Sequence, residues 1–220
     1  MNSSYKKYQN KVLEQTKINN DPNFFPPLPN KKYEIIYLDP PWDYNGKMQF
    51  DKSGKSSFNQ NWQKDIFISS ASFQYPTVPT KILKRLNLHQ IVNQENCLLF
   101  MWTTNPHLKQ AIELGEHWGF EYKTVAFIWD KQSHNPGQYT LSNCELCLVF
   151  KKGKIPQPRG ARNIQQLVSI KRTNHSTKPA IIRSYIEKMF PNQNKIELFA
   201  RTTASQWDVW GLDVNNKSHQ

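Results

Sequence analysis

Cysteine, glycine, acidic side chains and long apolar runs are all scarce in this 220-residue chain. Only three cysteines are present, too few for a disulfide framework. Two of them form Cys144-Glu145-Leu146-Cys147, but no second ligand pair accompanies this spacing. The motif opens an apolar run, where strand alternation sends the two sulfurs to opposite faces, so no metal site is expected. Glycine is sparse too. The sequence Gly54-Lys55-Ser56 looks like the tail of a phosphate-binding loop, yet Gln49 stands where such a loop needs its first glycine. No apolar run approaches the roughly 18 residues of a membrane span. No apolar segment follows Met1-Asn2-Ser3-Ser4-Tyr5-Lys6-Lys7, so a secretory signal is not expected and a cytoplasmic location is. The shortage of acids is the most telling: 17 Asp and Glu against 29 Lys and Arg leave a formal charge of +12. Such an excess favours a polyanionic partner, most simply nucleic acid, and no membrane.

What the chain does have is a stretch that organises the rest, Ile35-Ile36-Tyr37-Leu38-Asp39-Pro40-Pro41-Trp42. Four apolar residues read as a buried strand. An acid ends it, and two prolines forbid both helix and further sheet pairing. Asp39 is thereby expected at the carboxyl end of a strand, where ligands of open α/β sheets bind. A carboxylate, a stiff turn with free carbonyls and a stacking ring suit an exocyclic base amine. Asp39 and the Pro40 carbonyl would accept its two hydrogens, with Trp42 on the base plane.

Around this stretch the pattern is that of one α/β domain over residues 21–213. A polar, flexible arm is expected over 1–20 and a polar tail over 214–220. Residues 43–75 carry no sustained apolar period, and a loop this long starting at the motif reads as a substrate lid. A helix is expected over Lys81–Leu88, strands over Cys97–Trp102, Tyr122–Trp129, Glu145–Phe150 and Lys195–Phe199, and a helix after Pro106. Strands alternating with helices predict a mainly parallel sheet covered on both faces. Residues 151–172 hold seven Lys or Arg and no acid. Lacking a core stripe, they read as a phosphate-contacting segment that includes Lys151, Lys152, Lys154, Arg159 and Arg162. His175-Ser176-Thr177-Lys178-Pro179 should cap a further helix through Thr177 or Ser176, with Ile182, Tyr185, Ile186 and Met189 on its buried face.

Asp39-Pro40-Pro41-Trp42 resembles the motif of S-adenosylmethionine-dependent, amino-directed methyltransferases of the MT-A70 family. The succession His175 to Pro179, a helix, Lys195-Ile196-Glu197-Leu198-Phe199-Ala200-Arg201 and Trp207-x-x-Trp210-Gly211 is similar to that family's carboxyl-terminal signature. The resemblance implies a Rossmann-like methyltransferase sheet in circularly permuted order, with the catalytic strand first and the cofactor strand last. It implies methyl transfer to adenine N6, with S-adenosylmethionine as cofactor and Asp39, Pro40, Pro41 and Trp42 as the catalytic motif. Lys178 would reach the cofactor carboxylate, Asp39 would share in cofactor binding, and Phe199 and Arg201 would line its ribose and adenine side. Asp21 and Pro22 lie at the separation where the family sets an acid against the cofactor adenine; a turn aspartate is the other reading. Trp42 and Tyr44 would receive the base. Glu145 matches an acid near the target base, or else is a surface acid.

Two departures stand out. Leu212 and Asp213 replace the Asn and the Glu or Gln that bind cofactor hydroxyls in the family, leaving Asp213 as the remaining acceptor. The residues after Arg201 are poorer in polar reach. The chain resembles stand-alone microbial members, which favours DNA adenine as substrate. RNA adenosine is the alternative, and a non-catalytic nucleic-acid-binding subunit is another. A homodimer or a related partner subunit follows only by analogy.

Overall fold

The computed structural model describes residues 21, 24–43, 77–135, 139–172 and 177–215. The chain divides into two compact units. One comprises Met1–Pro22 with Pro41–Ile82, the other Asn23–Pro40 with Leu83–Gln220. In the first unit Trp42 is buried and bridges in parallel to Val78, whose N–H donates to the Pro41 carbonyl at 2.7 Å. Helix α1, Thr80–Leu83, is one turn long rather than the expected Lys81–Leu88. A separate 3-10 turn, Leu88–Gln90, follows it.

The second unit is built on seven strands: β1 Ile35–Leu38, β2 Asn96–Thr103, β3 Glu121–Asn135, β4 Ser142–Gly153, β5 Leu167–Ser169, β6 Lys195–Leu198 and β7 Asp208–Trp210. Their order across the sheet is β5-β3-β4-β2-β1-β6-β7. Strand β1 runs parallel to β2 and β6, β3 to β5, and β6 to β7. Strand β4 alone is antiparallel, to β2 and β3. The mainly parallel sheet is therefore as expected, with one reversed strand. That reversal follows from the short β3–β4 connection, since a parallel return needs a crossover of a dozen residues or more. Both hairpin strands outrun their predicted ends, because each continues to pair beyond its apolar centre as far as Asn135 opposite Ser142.

Alternation along the strands produces two covered faces. Ile35 and Tyr37 of β1, Leu98, Phe100 and Trp102 of β2, Phe127 and Trp129 of β3 and Cys147 of β4 line one face. Helix α3, Ile181–Met189, packs Ile182 and Ile186 into it, with Tyr185 and Met189 half-buried beside them. The opposite parity, including Phe150, meets helix α2, Leu108–His117, whose Gly115 comes so close that a Cβ would strike the Phe150 ring. Pro106 starts not this helix but a 3-10 turn, Asn105–His107, ahead of it. Helix α3 begins at Ile181 with Ala180 at its N-cap and no side-chain cap, so Thr177 does not have the expected role. The 151–172 segment also departs from expectation. Its Val168 is buried in β5, which pairs with β3 and supplies the core contact that periodicity did not reveal.

Strand β7 leads to a last short helix, α4, Leu212–Asn215. Among the described residues no helix is long and apolar enough to cross a membrane. Truncating Ile186 to Ala should cost about 2–5 kcal/mol of stability. A urea unfolding curve checks this, with a lowered midpoint expected at unchanged slope.

Candidate active site

The core stripes of the α3 face each end in a charged residue at one end of the sheet. Every second residue of β1 runs Ile35, Tyr37, then Asp39. On β4, read backwards, Cys147 is followed by Glu145. On β3, Phe127 and Trp129 lead to Lys131. Glu145 lies opposite Trp129, so Lys131 is its diagonal neighbour. Lys178, just ahead of α3, closes the group from above. Its ammonium is 2.7 Å from Asp39 Oδ2 and 3.1 Å from Glu145 Oε2. The Lys131 ammonium stands 3.5 Å from Glu145 Oε1. Beneath Lys178 lies the Trp102 ring, with 5.6 Å from the ammonium to the ring centroid. The Trp102 indole N–H donates to the Tyr37 hydroxyl at 2.7 Å, which ties this platform to β1.

Two ammonium groups and two carboxylates thus alternate in a partly desolvated row. Burial pushes the Asp39 carboxyl above its ordinary range despite the opposing Lys178 charge, although 31% of its side chain stays accessible. Burial works to raise Glu145 too, but Lys178 and Lys131 outweigh it and hold that carboxyl below the usual range. Burial tends to lower Lys178, and its two carboxylate partners reverse this and hold it well above the ordinary lysine value.

Beside Asp39, β6 ends at Leu198 and the chain turns sharply at Phe199, a non-glycine residue with φ of 59°. Such backbone strain persists only where surroundings over-determine it. Here Phe25, Phe199 and Trp210 form an aromatic cluster, with centroids 5.5–5.8 Å apart. Trp210 donates its indole N–H to the Pro27 carbonyl, and the Ala200 N–H donates to the Trp210 carbonyl. A Cβ at Gly211 would stand 2.7 Å from the Ala200 carbonyl oxygen, so only glycine permits this approach. Arg201, exposed, adds positive potential felt at Asp39.

A family model described as MT-A70 matches residues 33–213. The chain belongs to the MT-A70 family. It is 57% identical over 212 residues to "Type II methyltransferase M.MunI" from Mycoplasma, covering 96% of this chain and 91% of that protein. It is 27% identical over 183 residues to the human "N(6)-adenosine-methyltransferase catalytic subunit METTL3", covering 77% of this chain but 26% of that protein. To the human "N(6)-adenine-specific methyltransferase METTL4" it is 26% identical over 207 residues, or 86% of this chain and 39% of that one. The MT-A70 membership bears out the sequence resemblance, and with it the α/β methyltransferase fold and the expectation of an adenine-N6 methyltransferase acting on nucleic acid.

The candidate site draws together Asp39, Lys178 and Glu145, three residues far apart in sequence. Lys178, expected on a cofactor carboxylate, is here paired with the other two. Pro40 is buried and Pro41 half-buried beyond Asp39. Asp21 is exposed; Pro22 and Tyr44 lie outside the described residues, as does the side chain of Asp213. The basic segment is split. Lys151 and Lys152 pair with Leu98 and Cys97 near the start of β2, six residues down β4 from Glu145 and about 20 Å away at strand spacing. Lys154, exposed, continues past the same end, and Lys152 donates to the Gly119 carbonyl at 2.9 Å. Arg159 stacks on Phe190 at 5.5 Å, and Arg162 is exposed. These lysines therefore do not share the end of the sheet that carries Asp39. Sequence reasoning missed Tyr37, Trp102 and Lys131, although the alternating stripe Phe127, Trp129, Lys131 is a usable signal.

Replacing Glu145 by Gln should lower stability by about 3 kcal/mol at neutral pH, because Lys131 loses its buried partner. The lowered Glu145 carboxyl stabilises the fold fully above the ordinary glutamate range, and that contribution is lost as pH falls through the depressed folded value. The raised Lys178 contributes fully below the ordinary lysine value, and its share is lost as pH rises from there through the raised folded value. Asp39 has the opposite sign, since its ionisation works against the fold as pH rises through its raised value. Chemical unfolding across pH should therefore show wild type and Glu145→Gln converging in acid, with the gap between them held from neutral pH up to the ordinary lysine range.

Proposed function

We propose that this chain transfers the methyl group of S-adenosylmethionine to the N6 amine of adenine in DNA. The observation that carries the reading is Asp39, held by Lys178 at the carboxyl end of β1 directly before Pro40 and Pro41. Similarity to a type II methyltransferase over nearly the whole of both chains favours DNA. RNA adenosine is the second reading, favoured by the similarity to the METTL3 subunit, of which this chain spans about a quarter.

The groups at this end suit the cofactor. A carboxylate, an ammonium and an adenosine call for a cation, an anion and an aromatic wall. Lys178, Asp39 and the Phe25–Phe199–Trp210 cluster supply these, in what the family resemblance reads as a permuted strand order. Lys178 uses two of its three N–H donors on Asp39 and Glu145, which leaves one for a carboxylate. When bound, the cofactor would supply an electrophilic methyl group on a sulfonium, whose C–S bond breaks as the N–C bond forms, the electron pair leaving on the neutral thioether.

Adenine N6 is a poor nucleophile because its lone pair is delocalised into the ring. Hydrogen bonds from its amine to Asp39 and the Pro40 carbonyl favour a tetrahedral nitrogen with its lone pair directed at the methyl carbon. They also stabilise positive charge developing on nitrogen, through dipoles and charges fixed beforehand. Alignment of the two substrates adds the orientation term. The methylated amine then loses its proton to Asp39 or water, and burial raises the basicity of that carboxylate. In a duplex the base must first leave the stack.

Labelled-methyl transfer to single-stranded DNA, duplex DNA and RNA tests this directly, with the modified nucleoside identified after digestion. N6-methyldeoxyadenosine from DNA is expected. Asp39→Ala should reduce transfer by at least about a hundredfold, as loss of one preorganised acceptor does. Transfer to RNA alone would select the second reading. An Asp39→Ala protein as fast as wild type would sink the mechanism.

A further inference from the structure

We infer that Lys131 is a positioning residue for the transfer: by holding Glu145 Oε1 it keeps that carboxylate anionic, and so fixes the Lys178 ammonium between Glu145 and Asp39. The inference rests on the methyltransferase reading above. Lys131 does not belong to the tetrapeptide or to the carboxyl-terminal signature. It is 4% exposed, and a buried cation costs several kcal/mol unless it is paired. Lys195 is equally buried, but its ammonium donates to the Pro191 and Gln193 carbonyls in a local turn and so has a structural explanation. Lys131 instead occupies the outermost position of a core stripe, where Phe127 and Trp129 precede it, and its ammonium turns to Glu145. Its own backbone carbonyl accepts from the Arg172 N–H, and the Asp130 side chain accepts from the Gln132 N–H, so the backbone on both sides is fixed.

Charge balance gives the position its consequence. Lys131, Glu145, Lys178 and Asp39 sum to zero. Without Lys131 the remaining three carry one net negative charge inside a partly desolvated site. Glu145 then competes harder for Lys178, and an ionised Asp39 loses part of the cation bonded to its Oδ2. Among the described residues, the other groups that face this row include Arg201 after β6, Cys147 on β4, and Tyr37 and Glu197 on β1 and β6. Glu197 is itself paired with Arg183 at 2.8 Å. None of these replaces a cation on Oε1 of Glu145. Lys131 touches no reacting atom in this scheme and acts only through Glu145 and Lys178.

The test compares full-length wild type, Lys131→Met and Lys131→Arg for methyl transfer to duplex DNA, as kcat/KM against pH. Each is checked for folding by thermal unfolding. If Lys131→Met does not fold, Lys131→Gln takes its place. Loss of Lys131 is expected to move the acid limb of the profile upward. Activity should fall by about tenfold or more on the acid side and approach wild type towards alkali, while Lys131→Arg keeps the wild-type limb. A uniform loss at every pH, an unmoved limb, or an arginine variant no better than methionine would overturn the inference. Carboxyl titration of Asp39 by NMR in isotope-labelled protein separates this from the parent reading. A wild type that transfers no methyl while Lys131→Met raises the Asp39 midpoint refutes the function and supports the network. An Asp39 midpoint that does not move refutes the network whatever the activity.

Discussion

The Lys178 ammonium lies between two carboxylates, and much of what surrounds it follows from that contact. Two acids cannot lie this close in a desolvated setting while both ionised unless a cation sits between them. Lys178 therefore gathers the end of β1, the start of β4 and the approach to α3 at one point. The Trp102 ring beneath the ammonium and the Tyr37 hydroxyl behind it make the seat rigid. Asp39 is left bonded to Lys178 and yet partly open.

The neighbouring turn after β6 is held in a different way. Phe199 takes a left-handed backbone, and the aromatic cluster with Phe25 and Trp210 locks it there. Gly211 is needed for the close approach to Ala200, and Trp210 reaches the Pro27 carbonyl to anchor the segment that leads into β1. The Trp-Gly pair of the MT-A70 signature thus has a packing reason here. Two sides of one site, one electrostatic and one aromatic, are both fixed by the ends of adjacent parallel strands.

Charge distribution separates electrostatic attraction from chemistry. The cations of the 151–172 segment begin at the end of the sheet away from Asp39, and one of them is already bonded to a backbone carbonyl. A basic surface of that kind raises the local concentration of a polyanion without directing any one base. The cations paired with Asp39 and Glu145 are the buried Lys131 and the partly buried Lys178, which a count of surface charge does not distinguish.

Several features were decided by sequence alone. An apolar run halted by Asp39-Pro40-Pro41 can only be a strand with an acid at its carboxyl end, because proline removes both the donor and the allowed geometry for anything else. The α/β pattern, the buried face of α3 and the lysine before Pro179 were legible for the same reason: local sterics and periodicity act over a few residues. The helix start at Ile181, the reversed strand β4, the core role of Val168 and the distance of Lys151 from Asp39 were not legible. Each depends on which strand lies beside which, and on its direction. Only the assembled sheet brings Lys131, Glu145, Lys178 and Asp39 into one row, because a charge is neutralised by what is near it in space, and nothing in the spacing of residues 39, 131, 145 and 178 encodes that nearness.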